Sequence, residues 1–434
     1  MNEYDSNRIG DVLRESCGMT RVEQPEQADL LIINTCSIRE KSQNKVFSAL
    51  GRWRDIQKKR PDVCIAVAGC VASQMAEEII DRMPYVNLVF GPQTLQRLPN
   101  MLQAFAETGK PQIDVSFPVD EKFDHLPAPK TEGPTAFVSI MEGCNKFCTY
   151  CVVPFTRGRE WSRSVEDVLL EVSTLASQGV REVTLLGQNV NAYRGRAMES
   201  EACEDLVHLI EKISNIDEVL RIRYTTSHPA EFSERLIEAY REFPKLVSHI
   251  HLPVQSGSDA ILKKMHRGYT AADYLRKVEH LKCVKPGISI STDIIVGFPG
   301  ESDEDFEATL RLVNEVQFDH SFSFIYSPRP GTRAEKFEDT TPLQVKKQRL
   351  ATLQSLLNEY AMQISHSMVG SEQKVLVSAP SKKSHKQYSG RTENNRVVNF
   401  DGDESLIGHL VTVRITEALP NSLRGILIDS GHKG

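Results

Sequence analysis

Apolar and polar positions follow two different rhythms along this chain, and the change between them divides it. Near the start, an amphipathic stretch from Asp5 to Ser16 predicts a helix. It is followed by continuous apolar runs of the kind a strand buried on both faces shows: Ala28-Asp-Leu-Leu-Ile-Ile-Asn34, Val63-Cys-Ile-Ala-Val-Ala68 and Val86-Asn-Leu-Val-Phe90. Helical patterns separate these runs, which predicts a small α/β domain with a parallel sheet over residues 1–110. Residues 111–133 are rich in Pro, Lys, Asp and Glu without period and read as a linker. Strand and helix patterns then repeat six times, with strands expected near Thr135–Ile140, Glu182–Gly187, Leu220–Tyr224, His249–Pro253, Ile290–Val296 and His320–Tyr326. That repeat predicts a partial TIM-type (β/α)6 barrel, which with a long helix opened by Pro342 spans residues 134–370. Over residues 371–434 the rhythm changes to alternation between turn signals, at Lys374–Ser378, Arg396–Phe400, His409–Ile415 and Gly425–Ile428, which predicts a small β-barrel.

Composition narrows the setting. A chain of 434 residues with 40% hydrophobic and 25% charged positions is an ordinary globular sequence. No apolar run reaches the ~18–20 residues of a membrane span, and the polar opening Met-Asn-Glu-Tyr-Asp-Ser is no signal peptide, so a cytoplasmic location is expected, with no membrane partner. Nine cysteines, odd in number and unevenly clustered, fit metal ligation better than a disulfide framework. A net charge of −6 provides no global field for nucleic acid, so any RNA contact needs a local patch.

The densest chemistry lies in Met141-Glu-Gly-Cys-Asn-Lys-Phe-Cys-Thr-Tyr-Cys151, where Cys144, Cys148 and Cys151 stand at C-x3-C-x2-C spacing. Three thiolates are one short of a closed zinc site, and no further ligand lies nearby in sequence. A [4Fe–4S] cluster held through three irons fits better; a zinc knuckle or buried free thiols are the alternatives. Cys36 and Cys70 follow the first two N-terminal strands, the edge where parallel sheets place working residues. Cys64 lies inside a strand, about 20 Å from Cys70 at ~3.3 Å per residue, too far to share a ligand. Cys17 falls near the end of the first helix, at the opposite edge of the sheet. Cys203 and Cys283, in or beside helical segments, read as structural, and Trp53 and Trp161 as packing residues.

Polar groups close the successive central strands: Gly187, Gln188 and Asn189, then Ser227, Gln255 and Asp293, with Gly297 allowing close backbone approach. Each taken alone is an ordinary cap or turn residue. Arg157, Arg159, Lys263, Lys264 and Arg267 lie near the same face, where phosphate contact competes with plain surface charge. In the C-terminal stretch Lys382, Lys383, Lys386, Arg391 and Arg396 stand against only Glu393, which concentrates the missing positive charge.

The cysteine loop resembles the radical S-adenosylmethionine (SAM) superfamily. The resemblance implies a cluster on Cys144, Cys148 and Cys151 whose open iron binds SAM, with Tyr150 beside the adenine. It also assigns the polar groups at the strand ends to SAM. Asn34-Thr-Cys-Ser-Ile-Arg39 and Gly69-Cys-Val-Ala-Ser73 are similar to the N-terminal domain of the methylthiotransferases, and Ser389-Gly-Arg-Thr-Glu-Asn-Asn-Arg-Val-Val-Asn-Phe400 resembles the RNA-binding TRAM domain.

That family resemblance implies a second, auxiliary [4Fe–4S] cluster on Cys36, Cys70 and a third cysteine. The family carries the third in a Gly-Cys-Gln ahead of a segment like Met1–Ser6, so a start upstream of Met1 is expected. By the same resemblance, SAM serves as both methyl donor and radical source, and no side chain acts as acid or base. The target is C2 of an N6-dimethylallyl adenosine beside the anticodon of tRNA. Sister enzymes acting on threonylcarbamoyl adenosine or a ribosomal protein aspartate are the alternatives, and a non-catalytic RNA-binding iron–sulfur protein is a third. A flavodoxin or ferredoxin as electron donor, iron–sulfur carrier proteins and a monomeric state complete the expectations.

Overall fold

The computed structural model describes residues 1–36, 40–118, 123, 126–131, 133–197, 200–381 and 384–429. The chain forms two compact units. The first comprises Met1–Lys130, Glu142–Phe147 and Cys151–Trp161; the second comprises Thr131–Met141, Cys148–Tyr150 and Ser162–Gly434.

The first unit is built on a parallel sheet in the order Leu30–Asn34, Cys64–Ala68, Leu88–Phe90 and Gln112–Asp114. Every residue of Cys64–Ala68 is buried, as its unbroken apolar run requires. The fourth strand lies within the stretch expected to be linker. Gln112-Ile-Asp114 is only three residues long and Ile113 is 43% exposed, so this edge strand leaves no apolar period to read. The register aligns Asn34 with Ala68 and Ala68 with Phe90, which brings the strand ends carrying Asn34-Thr-Cys36 and Gly69-Cys70 side by side. The first helix, Asn2–Cys17, is tied to that edge by Asn34, whose Nδ2 donates to the Asn2 carbonyl and Ser6 Oγ, both at 3.0 Å.

In the second unit the six expected strands occur in order as parallel strands: Thr135–Ser139, Glu182–Leu186, Arg221–Tyr224, His249–His251, a pair of short strands at Ser289–Ser291 and Asp293–Val296, and Phe322–Ile325. The fifth breaks at Thr292 because that side chain takes over ladder bonds. Its hydroxyl accepts from the Val254 N–H at 2.9 Å and donates to the Leu252 carbonyl at 3.0 Å. Helices between the strands start at side-chain caps such as Ser164, Asp205, Ser233, Thr270 and Ser302. One apolar core containing Val138, Val183, Ile222, Ile250 and Ile294 fills the barrel and its helices. Cys203 and Cys283, expected to be structural, are both exposed.

After the helix Leu343–Ser367 the chain closes a five-stranded barrel in the order Glu372–Ser381, Ser384–Arg391, Val397–Asp401, Ser422–Asp429 and Leu410–Leu419. Its core contains Val375, Val377, Val398, Phe400, Val411 and Val413. The strand Ser384–Arg391 was expected to be loop. Tyr388 is its one large apolar residue, and Gly390 packs so closely that an added Cβ would sit 2.3 Å from the Leu376 carbonyl oxygen.

Arginines fasten this barrel to the rest of the second unit. Arg221 donates to the carbonyls of Arg391 and Lys374 at 2.8 and 2.7 Å, and Arg223 donates to the Glu393 carbonyl at 3.0 Å. In the opposite direction Arg396 grips Asp319 through both guanidinium ends, at 2.5 and 2.6 Å. Among the described residues no helix is long and apolar enough to cross a membrane.

Candidate functional site

In the first unit, Cys36 and Cys70 meet at the C-terminal edge of the sheet. The turn that brings them there depends on Gly69, whose φ of 88° lies in the left-handed region and whose added Cβ would stand 2.3 Å from Asn34 Oδ1. Beyond it, the Val71 N–H donates to the Thr35 carbonyl at 3.2 Å and stitches the two strand ends together. The side chains of Cys36 and Cys70 hydrogen-bond to each other. That bond, reinforced by the nearby Arg157 guanidinium and opposed by burial, lowers the Cys70 thiol to about 6. Cys64, inside its strand with nothing to stabilise a thiolate, is pushed up by burial to about 12.

Arg157 itself is buried and doubly held. Its Nη2 donates to Asp5 Oδ2 at 2.6 Å and its Nη1 to Glu142 Oε1 at 3.4 Å, while Gln93 Nε2 binds Glu142 and the Arg157 carbonyl. The cysteine loop enters this unit at Gly143, where φ is 73° and an added Cβ would lie 2.0 Å from the Arg159 carbonyl oxygen. Cys144 and Cys151, both half-buried, belong here. Next to Arg157 is a cavity of about 480 Å³ walled by Phe117, Pro118, Phe123 and Trp161, the last two stacked 5.5 Å apart.

In the second unit Cys148 is buried, and its Sγ accepts a hydrogen bond from Arg267 Nη1 at 3.4 Å. Arg267 is held by neutral partners: Nη2 donates to the Pro253 carbonyl at 2.9 Å and Nε to Tyr269 Oη at 3.0 Å. Thr149 locks the same loop, donating its hydroxyl to the Lys264 carbonyl at 2.9 Å. Tyr150 packs edge-on against Phe298 at 6.4 Å. Among the described residues no three His, Cys, Asp or Glu side chains converge on a single point as one metal ion requires.

The residues expected to face SAM occupy the strand ends, in two different conditions. Asn189 is 1% exposed, with neither amide atom hydrogen-bonded, and Ser227 Oγ is likewise buried without a partner. Buried polar atoms left so are costly, and a polar ligand arriving there would satisfy them. Gln188 and Gln255 lie alongside, and Thr226 and Gln255 have positive φ of 73° and 72°, strain of the kind that clusters at ligand-binding turns. Asp293 instead has a protein partner, with His251 Nε2 at 3.4 Å from its carboxylate.

The two glycines expected to admit a cofactor also meet constraints of the chain itself, close packing at both and a left-handed φ of 66° at Gly297. An added Cβ at Gly187 would meet Met141 Cγ at 2.4 Å. At Gly297 it would meet the Lys346 side chain at 2.5 Å.

Of the basic residues expected on the C-terminal barrel, Lys386 and Arg391 are exposed on a strand rather than a loop, and Lys382 and Lys383 lie outside the described residues. Arg396 is corrected: it is 2% exposed, and its charge is consumed by Asp319, so it presents nothing to RNA. Arg157 and Arg267, weighed as phosphate contacts or surface charge, are both buried against cysteine sulfur. Nothing in the local pattern of Thr156-Arg-Gly-Arg159 or His266-Arg-Gly-Tyr269 separates them from their exposed neighbours Arg159 and Lys263.

Residues 138–313 match the radical SAM superfamily, residues 1–91 the uncharacterized protein family UPF0004, and residues 366–428 the TRAM domain. A tRNA-2-methylthio-N(6)-dimethylallyladenosine synthase of Alkalilimnicola ehrlichii is 61% identical over 99% of this chain and 95% of its own length. Proteins of the same name from Legionella pneumophila, 59% identical, and Coxiella burnetii, 58% identical, are covered to 96% and 97%, over 99% and 98% of this chain. Among solved structures, the radical SAM methyltransferase TsrM of Kitasatospora setae aligns over 85% of this chain and 75% of its own, with a TM-score of 0.56 at 15% identity, a likeness of fold alone.

Proposed function

This chain belongs to the family of tRNA-2-methylthio-N(6)-dimethylallyladenosine synthases, and from that premise we infer that it is a radical SAM methylthiotransferase acting on tRNA. It adds a methylthio group to C2 of N6-dimethylallyladenosine beside the anticodon. The observation that carries the sulfur-inserting half of this reading is the meeting of Cys36 and Cys70 at adjacent strand ends, with the Cys70 thiol lowered to about 6. A chain that only cleaved SAM has no need of a second thiolate site.

The donor chemistry fits the first group the family implies in full and the second in part. Cys144, Cys148 and Cys151 would hold a SAM-binding [4Fe–4S] cluster, and Cys36 and Cys70 would supply two of the three thiolates that the family's auxiliary cluster takes. The hydrogen bond already aimed at the Cys148 sulfur supports the first assignment, and the charge beside Cys70 supports the second. When bound, the clusters and SAM supply the one-electron chemistry, the sulfur and the methyl group.

The protein's own residues do the rest. Asn189, Ser227, Gln188 and Gln255 present polar atoms to SAM at the strand ends, and Tyr150 offers an aromatic edge. Gly187 and Gly297 allow the tight packing that shapes those turns, and Asp293 orients His251. Lys386 and Arg391, with Lys382 and Lys383, bind the phosphate backbone of tRNA without reading its bases. A flavodoxin- or ferredoxin-type donor supplies electrons, and iron–sulfur carriers load the clusters.

An assay of anaerobically reconstituted protein with SAM and reductant tests this reading. The expected result is methylthio product from tRNA bearing N6-dimethylallyladenosine and none from tRNA bearing the threonylcarbamoyl base. Product only from the second would reassign the substrate.

A further inference from the structure

Arg267 is placed where surface charge would never be. Its guanidinium is buried, donates to Cys148 Sγ at 3.4 Å, and spends its remaining reach on the Pro253 carbonyl and Tyr269 Oη, with the Tyr269 ring 5.4 Å beneath it. Apart from the sulfur itself, these partners are neutral, a carbonyl and a phenol, and burial keeps water from screening the guanidinium. The cation therefore acts on the sulfur undiluted. A hydrogen bond and a positive charge at a cluster thiolate stabilise the more negative of two redox states, and both are recognised levers on cluster potential.

We propose that Arg267 is a positioning residue for the SAM-binding cluster: it fixes the rotamer of Cys148 and raises the reduction potential of the cluster that Cys148 ligates. The proposal rests on Cys148 being a cluster ligand, as read above. In the step concerned, one electron passes from an external one-electron donor to the oxidised cluster. The cluster becomes more negative by one charge, and no bond is made or broken. Arg267 favours that step by offsetting the added charge.

Redox titration followed by electron paramagnetic resonance tests this, using dithionite on the full chain with Cys36→Ala and Cys70→Ala so that only one cluster remains. Arg267→Met is expected to lower the midpoint potential with iron and sulfide per chain unchanged, and to raise the Fe–S(Cys) stretching frequencies in resonance Raman spectra as the hydrogen bond is lost. Arg267→Lys, which keeps the charge but cannot serve Cys148, Pro253 and Tyr269 together, is expected to fall between. An unchanged potential and Raman spectrum in Arg267→Met at full iron content would overturn the proposal. If that variant does not fold, wild-type values for both in Arg267→Lys would do the same. A Cys36/Cys70 double variant that binds no iron would instead overturn the cluster assignment itself, which keeps the two failures apart.

Discussion

Two buried arginines each stand beside a cysteine in this protein, and the company they keep is different. Arg157, by Cys70, is held by two carboxylates, Asp5 and Glu142. Arg267, by Cys148, is held by a carbonyl and a phenol. In the first site the cation is largely spent on balancing buried acids, so its main work is to keep that corner of the first unit folded. In the second no carboxylate pairs with it among the described residues, so its work is on the sulfur. A guanidinium beside a sulfur is thus shared with carboxylates in one place and with neutral groups in the other.

The largest contrast to test is functional. Cys148→Ala is expected to abolish formation of 5′-deoxyadenosine from SAM, whereas Cys70→Ala should still cleave SAM in an uncoupled manner and make no methylthio product. Chromatography of both products in one reaction checks this, and SAM cleavage surviving in Cys148→Ala would break the distinction between the sites.

Next in size is stability. Arg157→Met leaves Asp5 and Glu142 buried without their cation and is expected to cost about 3–5 kcal/mol, since removing one partner of a buried pair strands the other. Urea unfolding of the metal-free chain measures it. Arg267→Met strands no charge, and in the same experiment it should lose about 1–3 kcal/mol, the scale of buried hydrogen bonds left unmade. Equal losses would mean that the two arginines do the same work.

A third test uses Arg396, which resembles Arg157 in facing a buried carboxylate. Arg396→Met should destabilise the C-terminal barrel through the stranded Asp319 yet leave the salt dependence of tRNA binding unchanged. Lys386→Ala, the smallest effect, should leave stability alone and reduce the slope of log K against log salt by about 1. Filter binding over a range of salt separates them.

These arginines also mark how far the chain could be read from its sequence. Strands with continuous apolar runs were legible because a run such as Cys64–Ala68, buried at every position, has neither a helical nor an alternating period, and Cys36 and Cys70 followed from where such strands end. The strand Ser384–Arg391 was not legible, since its place is set by barrel closure and by Gly390 against Leu376 rather than by its own pattern. Gln112–Asp114 is hidden by its length. The arginines were the least legible of all. Arg157 and Arg159 stand on either side of Gly158, and only tertiary structure, in the form of Asp5 from the first helix, decides which is buried. Asn189 and Ser227 were found by their position at strand ends, but their unsatisfied atoms are visible only in three dimensions.

Insertion of a methylthio group into prenylated adenosine of tRNA is the activity from which the roles of both cysteine sites follow. Mass spectrometry of tRNA nucleosides from a strain lacking this chain tests it most directly. The expected result is loss of 2-methylthio-N6-dimethylallyladenosine with accumulation of N6-dimethylallyladenosine, restored by the wild-type chain and not by Cys70→Ala. An unchanged level of the methylthio nucleoside in the deleted strain would contradict it.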